Sequence, residues 1–322
     1  MIEFKKVSMQ FSDERYAVQS VDLEIQQGEF FVLIGPSGSG KTTTLKMINR
    51  LISSTEGEIY IKGQKISDYD LYELRWDIGY VLQQIALFPH MTIEENIAVV
   101  PELKQWSRNE TNQRVDELML MVGLDPAMYR HRKPAELSGG QQQRVGVARA
   151  LAADPEIVLM DEPFSALDPL TREKLQDDLL DLQRRIQKTI VFVTHDMQEA
   201  MKLGDRICVM NEGKVVQIGR PEELVQQPAN AFVREFVSGA VRHVGYQAFE
   251  LETLAQPIAH PEALLGYEAV SAHATLDEVL SQLAKHEELA VEKNGDRIGL
   301  VNRQAVIQFL ADPPKEGGDS HE

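Results

Sequence analysis

The segment GPSGSGKTT at residues 35–43 carries glycines, a lysine and hydroxyl side chains at a spacing that suits phosphate binding. Closely spaced glycines let backbone N–H groups turn towards phosphate oxygens, the Lys41 ammonium would neutralise phosphate charge, and the Thr42 hydroxyl would ligate Mg²⁺. An apolar run precedes the segment and a helical pattern follows it, which favours a phosphate-binding loop over a chance glycine-rich turn. The predicted contacts are Gly35, Pro36, Ser37, Gly38, Ser39, Gly40, Lys41, Thr42 and Thr43.

Two acidic residues and a histidine follow apolar segments further along the chain. Asp161 and Glu162 come directly after IVLM at 157–160, and His195 follows TIVFVT at 189–194. At the end of a buried strand that faces a phosphate loop, Asp161 would hold Mg²⁺ and Glu162 would polarise an attacking water. His195 would hydrogen-bond the terminal phosphate from the same edge of the sheet. Taken alone, an acidic pair is more often a helix cap or solvated turn, and such a histidine is usually structural.

Three further side chains could contact the molecule that carries these phosphates. Gln83 is polar and follows the apolar segment IGYV, so we expect it at a similar sheet edge. Phe11 and Tyr16 are aromatic residues that could stack on a purine, although an exposed or core aromatic is the default interpretation of either.

A second anion site is predicted about a hundred residues after the first. The segment LSGGQQQR begins at Leu137 and places Ser138, Gly139, Gly140 and Gln141 at the start of a helical pattern. A hydroxyl, flexible backbone N–H groups and a helix N-terminus together can hold an anion. An ordinary N-cap followed by glycines is the alternative.

The hydrophobic pattern predicts the elements that position these residues. Alternation over residues 1–30 indicates antiparallel strands, and 57–83 is also strand-like. Residues 90–150 are mostly helical and form an inserted subdomain, and 171–187 form an amphipathic helix. Buried strands are predicted at 30–34, 157–160 and 189–194. The fold class is therefore α/β with a mainly parallel sheet, an antiparallel β subdomain and a helical insertion.

Composition limits the function classes. A chain of 322 residues is long enough for two domains, and its net charge of −17 argues against binding nucleic acid through phosphate contacts. The single cysteine, Cys208, excludes an intramolecular disulfide and indicates a reducing compartment. No run of 18 apolar residues occurs, and the N-terminal segment lacks the apolar core of a signal peptide. Any membrane role is therefore expected to involve partners.

The pattern changes after the first 237 residues, which we assign to one domain. Residues 238–268 have weak periodicity and are predicted to be a linker with some helix. Residues 269–312 read as helix, strand, strand and helix in a small α+β unit. The last ten residues, 313–322, are polar and predicted to be disordered.

Six motifs in order make residues 1–237 resemble an ATP-binding cassette (ABC) ATPase. They are GPSGSGKTT, the Gln83 loop, LSGGQQQR, IVLMDEP, SALD at 165–168 and His195. The resemblance implies ATP and Mg²⁺ as cofactors. It also implies that Gln83 contacts Mg²⁺ and senses a membrane partner, that Asp168 couples the subunits, and that Phe11 stacks on adenine. Phe11 stands where many relatives have Tyr or Trp. The resemblance also implies a homodimer in which Ser138 to Gln141 of each subunit close over the ATP bound to the other.

Two stretches are similar to the ATPases of importers for glycine betaine, carnitine, choline and related quaternary amines. They are LKMINRL at 45–51 and the segment 78–103. Such a resemblance implies integral membrane permease subunits, a periplasmic or lipid-anchored substrate-binding protein, and a peripheral place on the cytoplasmic face of the bacterial inner membrane. The apolar residues Ile85, Leu87 and Phe88 would dock the permease, with core packing as the alternative.

Residues 269–312 resemble a single CBS motif. Such motifs work in pairs, so a pair would form across the homodimer, and a regulatory role and a purely dimerising role both remain open. Alternatives for the whole chain are an importer ATPase for another small solute, a soluble ABC ATPase outside transport, and an exporter ATPase. One cassette, acidic charge and the lack of fused membrane spans disfavour the last two.

Overall fold

The computed structural model describes most of the chain as two compact units, Met1–Val237 and Ser238–Glu322. The described residues are 1–11, 15–165, 167–245, 251–255, 264, 266–272, 274, 276–293 and 296–306. Among these residues, no helix combines the length and the apolar character that crossing a bilayer demands. Each unit has its own buried apolar cluster.

A six-stranded sheet forms the centre of the first unit, in the order β10-β9-β3-β8-β7-β6. Its strands are β3 Phe30–Ile34, β6 Ile78–Val81, β7 Ile157–Asp161, β8 Thr189–Thr194, β9 Arg206–Asn211 and β10 Lys214–Gly219. All neighbours pair in parallel except β9 and β10. The three middle strands β3, β8 and β7 are buried at every residue, as their continuous apolar sequences predicted. Parallel pairing brings the carboxyl ends of these strands to one edge.

The N-terminal part of the first unit forms a second, antiparallel sheet in the order β2-β1-β4-β5. Its strands are β1 Ile2–Gln10, β2 Tyr16–Ile25, β4 Glu56–Ile61 and β5 Gln64–Lys65. The prediction of antiparallel strands over residues 1–30 is confirmed by the pairing of β1 with β2. Side chains from both sheets, such as Phe4, Val21, Leu33 and Val193, share one buried cluster. The strand ends that carry Phe11 and Tyr16 are thereby fixed relative to the parallel sheet.

The helices of the first unit surround the parallel sheet or form the insertion. Those outside the insertion are α1 Lys41–Ile48, α2 Leu71–Trp76, α7 Pro169–Ile186, α8 Met197–Leu203, α9 Pro221–Gln226 and α10 Ala231–Gly245, the last continuing past the unit boundary. The predicted helical insertion between β6 and β7 contains α3 Ile93–Leu103, α4 Arg108–Met121, α5 Pro126–Tyr129 and α6 Gly139–Leu151. Capping boxes begin α3 at Thr92 and Glu95 and α4 at Ser107 and Glu110.

The prediction that residues 57–83 are strand-like throughout is wrong for its middle part, where α2 forms. Asp70 caps this helix, since its side chain accepts hydrogen bonds from Tyr72 N at 2.8 Å and Glu73 N at 3.1 Å. Leu74 is the residue that α2 buries. One N-cap and one buried leucine give too weak a periodic signal to separate a six-residue helix from the strands beside it.

The C-terminal unit contains a three-stranded sheet in the order β11-β12-β13. Its elements are α11 Leu251–Leu254, β11 Ala269–Ser271, α12 Leu276–Leu283, β12 Glu288–Lys293 and β13 Asp296–Asn302, followed by helical residues at 303–306. Leu251, in the segment predicted to be a linker, is buried with Val279, Leu289 and Val301. The tail predicted to be disordered, 313–322, lies outside the described residues.

Candidate functional site

The glycine-rich loop joins β3 to α1 and forms one wall of an open cleft. Gly40 precedes the first helical residue in a left-handed conformation, with φ of 99°. A Cβ atom there would lie 2.4 Å from the carbonyl oxygen of Ala17 in β2, so only glycine fits. A Cβ on Gly35 would lie 2.1 Å from the Met210 carbonyl oxygen. These close approaches hold the loop against both sheets.

Lys41 begins α1 and is buried within the loop. Its ammonium donates hydrogen bonds to the carbonyl oxygens of Gly35 at 2.8 Å and Pro36 at 2.9 Å. Burial lowers the pKa of Lys41, and the nearby carboxylates of Glu162 and Asp161 oppose that shift. The loop therefore concentrates a buried positive charge beside two carboxylates.

Asp161 ends β7 and reaches the first turn of α1. Thr42 Oγ1 donates a hydrogen bond to Asp161 Oδ1 at 2.8 Å, and the Tyr80 hydroxyl lies 3.5 Å from Asp161 Oδ2. Burial raises the pKa of Asp161, while the hydrogen bond from Thr42 and the charge of Lys46 lower it. Burial also raises the pKa of Tyr80. Sequence reasoning did not select Tyr80, whose only signal is a hydroxyl within the apolar segment IGYV of the neighbouring strand.

Glu162 lies directly after β7 with a left-handed backbone, at φ of 44°. This conformation is uncommon for a non-glycine residue and persists only where its surroundings enforce it. Glu162 N donates to the Val193 carbonyl oxygen at 3.0 Å, and Ser165 N donates to the Glu162 carbonyl oxygen at 3.2 Å. The backbone of Glu162 is thus fixed to β8, and its side chain turns towards the cleft that it lines.

The side chains of His195 and Gln83 both approach Glu162. His195 Nδ1 lies 3.0 Å from Glu162 Oε2, and Gln83 Nε2 lies 3.5 Å from the same oxygen. His195 follows β8 and Gln83 follows β6, so three neighbouring strands supply these polar groups at their carboxyl ends. His195 exposes 62% of its side chain and can reach a ligand in the cleft.

The cleft measures about 740 Å³. It is lined by Phe11, Arg15, Tyr16, Ala17, Ser37, Gly38, Ser39, Gly40, Lys41, Thr42, Thr43, Gln83, Glu162 and His195. Phe11 and Tyr16, at 50% and 42% exposed, form an aromatic rim on the side of the antiparallel sheet. The structure therefore brings together both candidate stacking residues, the glycine loop and the polar groups of three strand ends.

The donors around Thr42 and Asp161 suit Mg²⁺. Mg²⁺ prefers oxygen ligands and is usually held by one or two carboxylates together with substrate phosphates. Thr42 offers a hydroxyl oxygen 2.8 Å from an Asp161 carboxylate oxygen. Within the described part of the chain, no group of three or more His, Cys, Asp or Glu residues could hold a metal by itself. This set therefore fits an ion that arrives with a phosphate ligand.

Ser138 caps α6 and does not belong to the set that lines the cleft. Its Oγ accepts a hydrogen bond from Gln141 N at 3.3 Å, and Gln141 Oε1 accepts one from Ser138 N at 2.9 Å. Within one chain, Ser138 therefore acts as an ordinary N-cap, which was the alternative prediction for this segment. Ser138 and Gly139 are exposed, so the helix terminus is also open to an external group. Gly140 is buried, and a Cβ there would lie 2.7 Å from Thr171 Cγ2 of α7.

Asp168 caps α7, close in sequence to Glu162. Its side chain accepts a hydrogen bond from Thr171 N at 3.0 Å, and this bond lowers the pKa of Asp168. Asp168 is exposed and is not a lining residue of the cleft. Like Ser138, it lies on an accessible surface of the first unit.

The sequence matches the family model described as "ABC transporter" over residues 18–165. It is 47% identical over 97% of its length, and 78% of the relative's, to the "glycine betaine/carnitine/choline transport ATP-binding protein" OpuCA of Bacillus subtilis. It is 54% identical over 74% of its length, and 63% of the relative's, to the "osmoprotectant import ATP-binding protein" OsmV of Salmonella typhimurium.

Solved structures show the same fold. A dimeric post-hydrolysis state of an ATP-binding cassette bound to ADP and Pi matches with a TM-score of 0.61 and 40% identity. The match covers 69% of this chain and 99% of the cassette. A second dimeric structure, of a bacterial ABC transporter cassette, matches with a TM-score of 0.62 and 41% identity over the same shares.

Proposed function

Because the chain belongs to the family of ABC transporter ATP-binding proteins, we propose that it is the ATPase subunit of an importer for quaternary amine osmoprotectants. The observation that carries this proposal is the convergence of Lys41, Asp161, Glu162 and His195 on one cleft with a glycine loop. Relatives named for glycine betaine, carnitine and choline transport support the substrate class. An importer ATPase for another small solute is the alternative.

In the proposed reaction, the glycine loop binds the phosphates of ATP. Lys41 would exchange its hydrogen bonds to the Gly35 and Pro36 carbonyl oxygens for phosphate oxygens, which bear full negative charge. The N-terminus of α1 adds the positive end of its dipole. Phe11 stacks on the adenine at the far side of the cleft, where it is half-exposed.

Thr42 and Asp161 would hold Mg²⁺, with Gln83 as a further oxygen donor. Bound Mg²⁺ supplies charge neutralisation on the phosphates. The strained backbone of Glu162 presents its carboxylate to the cleft, where it would orient a water and accept its proton. His195, held 3.0 Å from Glu162 Oε2, would donate a hydrogen bond to the terminal phosphate.

We propose that two copies of the chain form the working unit. Ser138 and Gly139 expose the N-terminus of α6, which continues through Gly140 and Gln141 and is not part of this chain's own cleft. A helix N-terminus favours a phosphate anion, so a second copy's cleft is the natural place for it. The dimeric state of two similar cassettes supports this arrangement. Asp168 would then couple the two subunits from its exposed position at the start of α7.

The partners follow from the transport role. Integral membrane permease subunits would dock on the segment after Gln83, where Phe88 is exposed and Leu87 is mostly buried. A periplasmic or lipid-anchored substrate-binding protein would act through the permease, and this chain would lie peripherally on the cytoplasmic face of the inner membrane. The net charge of −17 argues against nucleic acid as a partner. The C-terminal unit, with its β11, α12, β12 and β13, is proposed to be a single CBS-like module that regulates or dimerises.

Two measurements test the proposal. Purified protein should hydrolyse MgATP, and affinity purification from membranes in mild detergent should recover a permease with several membrane spans. Uptake of labelled glycine betaine, choline and carnitine by a deletion strain identifies the substrate class. Stimulation of the ATPase by nucleic acid, without a membrane partner, would instead favour a soluble ABC ATPase. Loss of uptake for an unrelated solute alone would contradict the substrate class and leave the ATPase assignment standing.

A further inference from the structure

The turn that carries His195 is held by a buried hydroxyl. Thr194 Oγ1 accepts a hydrogen bond from Asp196 N at 3.0 Å and donates one to Glu199 Oε2 at 2.6 Å. Thr194 and Glu199 are 2% and 6% exposed. The two residues on either side of His195 are therefore tied, through one hydroxyl, to a carboxylate on α8.

Glu199 is in turn fixed by both helices that meet at this point. Asp196 caps α8, since its Oδ1 accepts hydrogen bonds from Gln198 N at 2.8 Å and Glu199 N at 3.4 Å. From α7, Gln176 Nε2 donates to Glu199 Oε1 at 3.3 Å, and Arg172 Nε lies 3.8 Å from the same oxygen. The Glu199 carboxylate is thus held by side chains from α7 and β8 and by the cap of its own helix.

Arg172 extends this network to the loop that precedes α7. Its Nη2 donates to the Leu167 carbonyl oxygen at 3.1 Å, next to Asp168, and its Nη1 lies 3.8 Å from Asp196 Oδ2. One arginine therefore contacts both the loop before α7 and the two carboxylates that surround the His195 turn.

A carboxylate at this position is costly for the fold. Burial raises the pKa of Glu199, and the hydrogen bond from Thr194 lowers it. The other buried residues of α8 are Met197, Ala200 and Leu203, which are apolar. A leucine at position 199 would avoid desolvating a charge, but it would offer no acceptor to the Thr194 hydroxyl or the Gln176 amide. The hydrogen bond to Thr194 is what an apolar residue could not provide.

We propose that Glu199 is a positioning residue for His195. By accepting the Thr194 hydrogen bond, Glu199 fixes the turn at 194–196 and so sets the 3.0 Å contact between His195 Nδ1 and Glu162 Oε2. This inference rests on the proposed function, in which His195 acts at the terminal phosphate. Glu199 is not among the residues that line the cleft.

The first test does not need ATP hydrolysis. The His195 ring signals are followed by NMR in protein labelled at its 8 histidines, with His195→Ala providing the assignment. Glu199→Leu and Thr194→Val should both shift these signals, because each removes the same hydrogen bond. Glu199→Gln keeps an acceptor oxygen and should leave them near their wild-type positions.

A matched control lies at the other end of the same strand. Thr189 is also buried, and its Oγ1 accepts a hydrogen bond from Gly28 N at 3.0 Å. Thr189→Val therefore removes a comparable buried hydrogen bond from β8, away from the His195 turn, and should leave the His195 signals unchanged. Unchanged signals in Thr194→Val, or equal shifts in Thr189→Val, would overturn the proposal. Thr194→Val also removes the hydrogen bond from Asp196 N, so unchanged signals in this nearly isosteric variant overturn the proposal even if Glu199→Leu does not fold, and Glu199→Ala then replaces Glu199→Leu as the test of the carboxylate alone.

The second test uses ATPase kinetics. In Glu199→Leu and Thr194→Val, kcat should fall about 10-fold to 100-fold while KM for MgATP stays near the wild-type value, because misplacing one catalytic group by about 1 Å is enough for such a loss. In a His195→Ala background, the same substitutions should cost nothing further. Equal fold losses in both backgrounds would assign Glu199 a purely structural role. A wild-type protein without ATPase activity would contradict the proposed function, and the NMR test would still decide the positioning.

Discussion

His195 Nδ1 lies 3.0 Å from Glu162 Oε2, and this contact joins the carboxyl ends of two adjacent parallel strands, β8 and β7. The carboxylate is held by an imidazole on one side and by its left-handed backbone on the other. The orientation of Glu162 is therefore set by contacts within the fold, so its chemical role can be tested separately from nucleotide binding.

Replacing Glu162 by Gln should leave MgATP binding intact and lower kcat about 10²-fold to 10⁴-fold, because only the transfer of the water's proton requires the carboxylate. The amide that replaces the Glu162 carboxylate can still form a hydrogen bond with His195, as donor or as acceptor. ATP should then hold the variant as a stable dimer, which size-exclusion chromatography with and without ATP would detect. Turnover near the wild-type rate would remove Glu162 from the role of base.

Shared sites between two copies predict complementation. Lys41→Ala should weaken nucleotide binding, because a charge that meets the phosphates is lost in both the ground state and the transition state. Ser138→Arg alters an exposed residue outside the cleft, so ATP binding by a single chain should persist while closure and hydrolysis fail. In a mixed dimer, one composite site has an intact loop and an intact Ser138. Tandem-tagged heterodimers with no more ATPase activity than either parent would count against shared sites.

The two aromatic residues of the cleft rim permit a matched comparison. Stacking on a base is worth about 1–3 kcal/mol, so Phe11→Ala should raise KM for ATP about fivefold or more with little change in kcat. Tyr16→Ala removes a ring of similar exposure from the same rim and should change KM less. Steady-state kinetics of both variants distinguishes them. A larger effect at Tyr16 would reassign the stacking residue.

The sequence predicted β3, β7 and β8 of the parallel sheet and the residues at their carboxyl ends, because these buried strands have continuous apolar runs, whereas β9 and β10 were not predicted. Asp161, Glu162 and His195 each follow such a run directly, so their meeting at one edge could be anticipated. The first residues of the helices were harder to predict than the buried strands. Pro169 after Asp168 is a typical helix start, and α7 begins there rather than at residue 171.

Long-range polar contacts could not be predicted from patterns. Thr194 and Glu199 look like an ordinary strand end and a helical acidic residue, and only the packing of α7 against α8 shows that both are buried. Tyr80 reaches Asp161 because β6 and β7 are neighbours, which strand order alone decides. Side-chain burial of polar groups depends on tertiary packing, and hydrophobic periodicity does not report it.

Asp161→Asn should stabilise the nucleotide-free cassette at neutral pH. The folded-state pKa of Asp161 is raised, so the folded state binds more protons than the unfolded state, and stability falls as pH rises through the usual aspartate range towards the raised value. A neutral amide avoids this loss, and the melting temperature of the variant should exceed that of the wild type above this range and approach it at lower pH. Asp168→Asn is the control, because the pKa of Asp168 is lowered and its replacement should not stabilise.

The gain in Asp161→Asn should come with a loss of function. Stabilisation of the wild type by MgATP should be largely absent in the variant, since a carboxylate proposed to hold Mg²⁺ is gone. Thermal melts across a pH series, with and without MgATP, measure both effects. A lower melting temperature than the wild type at pH 7 would show that the hydrogen bond from Thr42 and the attraction to Lys46 outweigh the cost of burying Asp161.

Truncation after residue 245 should leave a folded cassette that hydrolyses ATP. The buried clusters of the two units share no residue, and α10 ends at Gly245, so the cut removes no part of the first unit's core.

Residues 238–322 contain 14 Asp/Glu against 6 Lys/Arg. Charges at a protein surface act over about 8–10 Å at physiological salt and are screened as salt rises. If this unit regulates by electrostatic contact, ATPase-coupled uptake in vesicles with the co-purified permease should depend on ionic strength in the full-length protein and lose that dependence in the truncated one. Identical salt curves would exclude a salt-sensing role, and loss of dimers in the truncated protein alone would assign the unit to dimerisation.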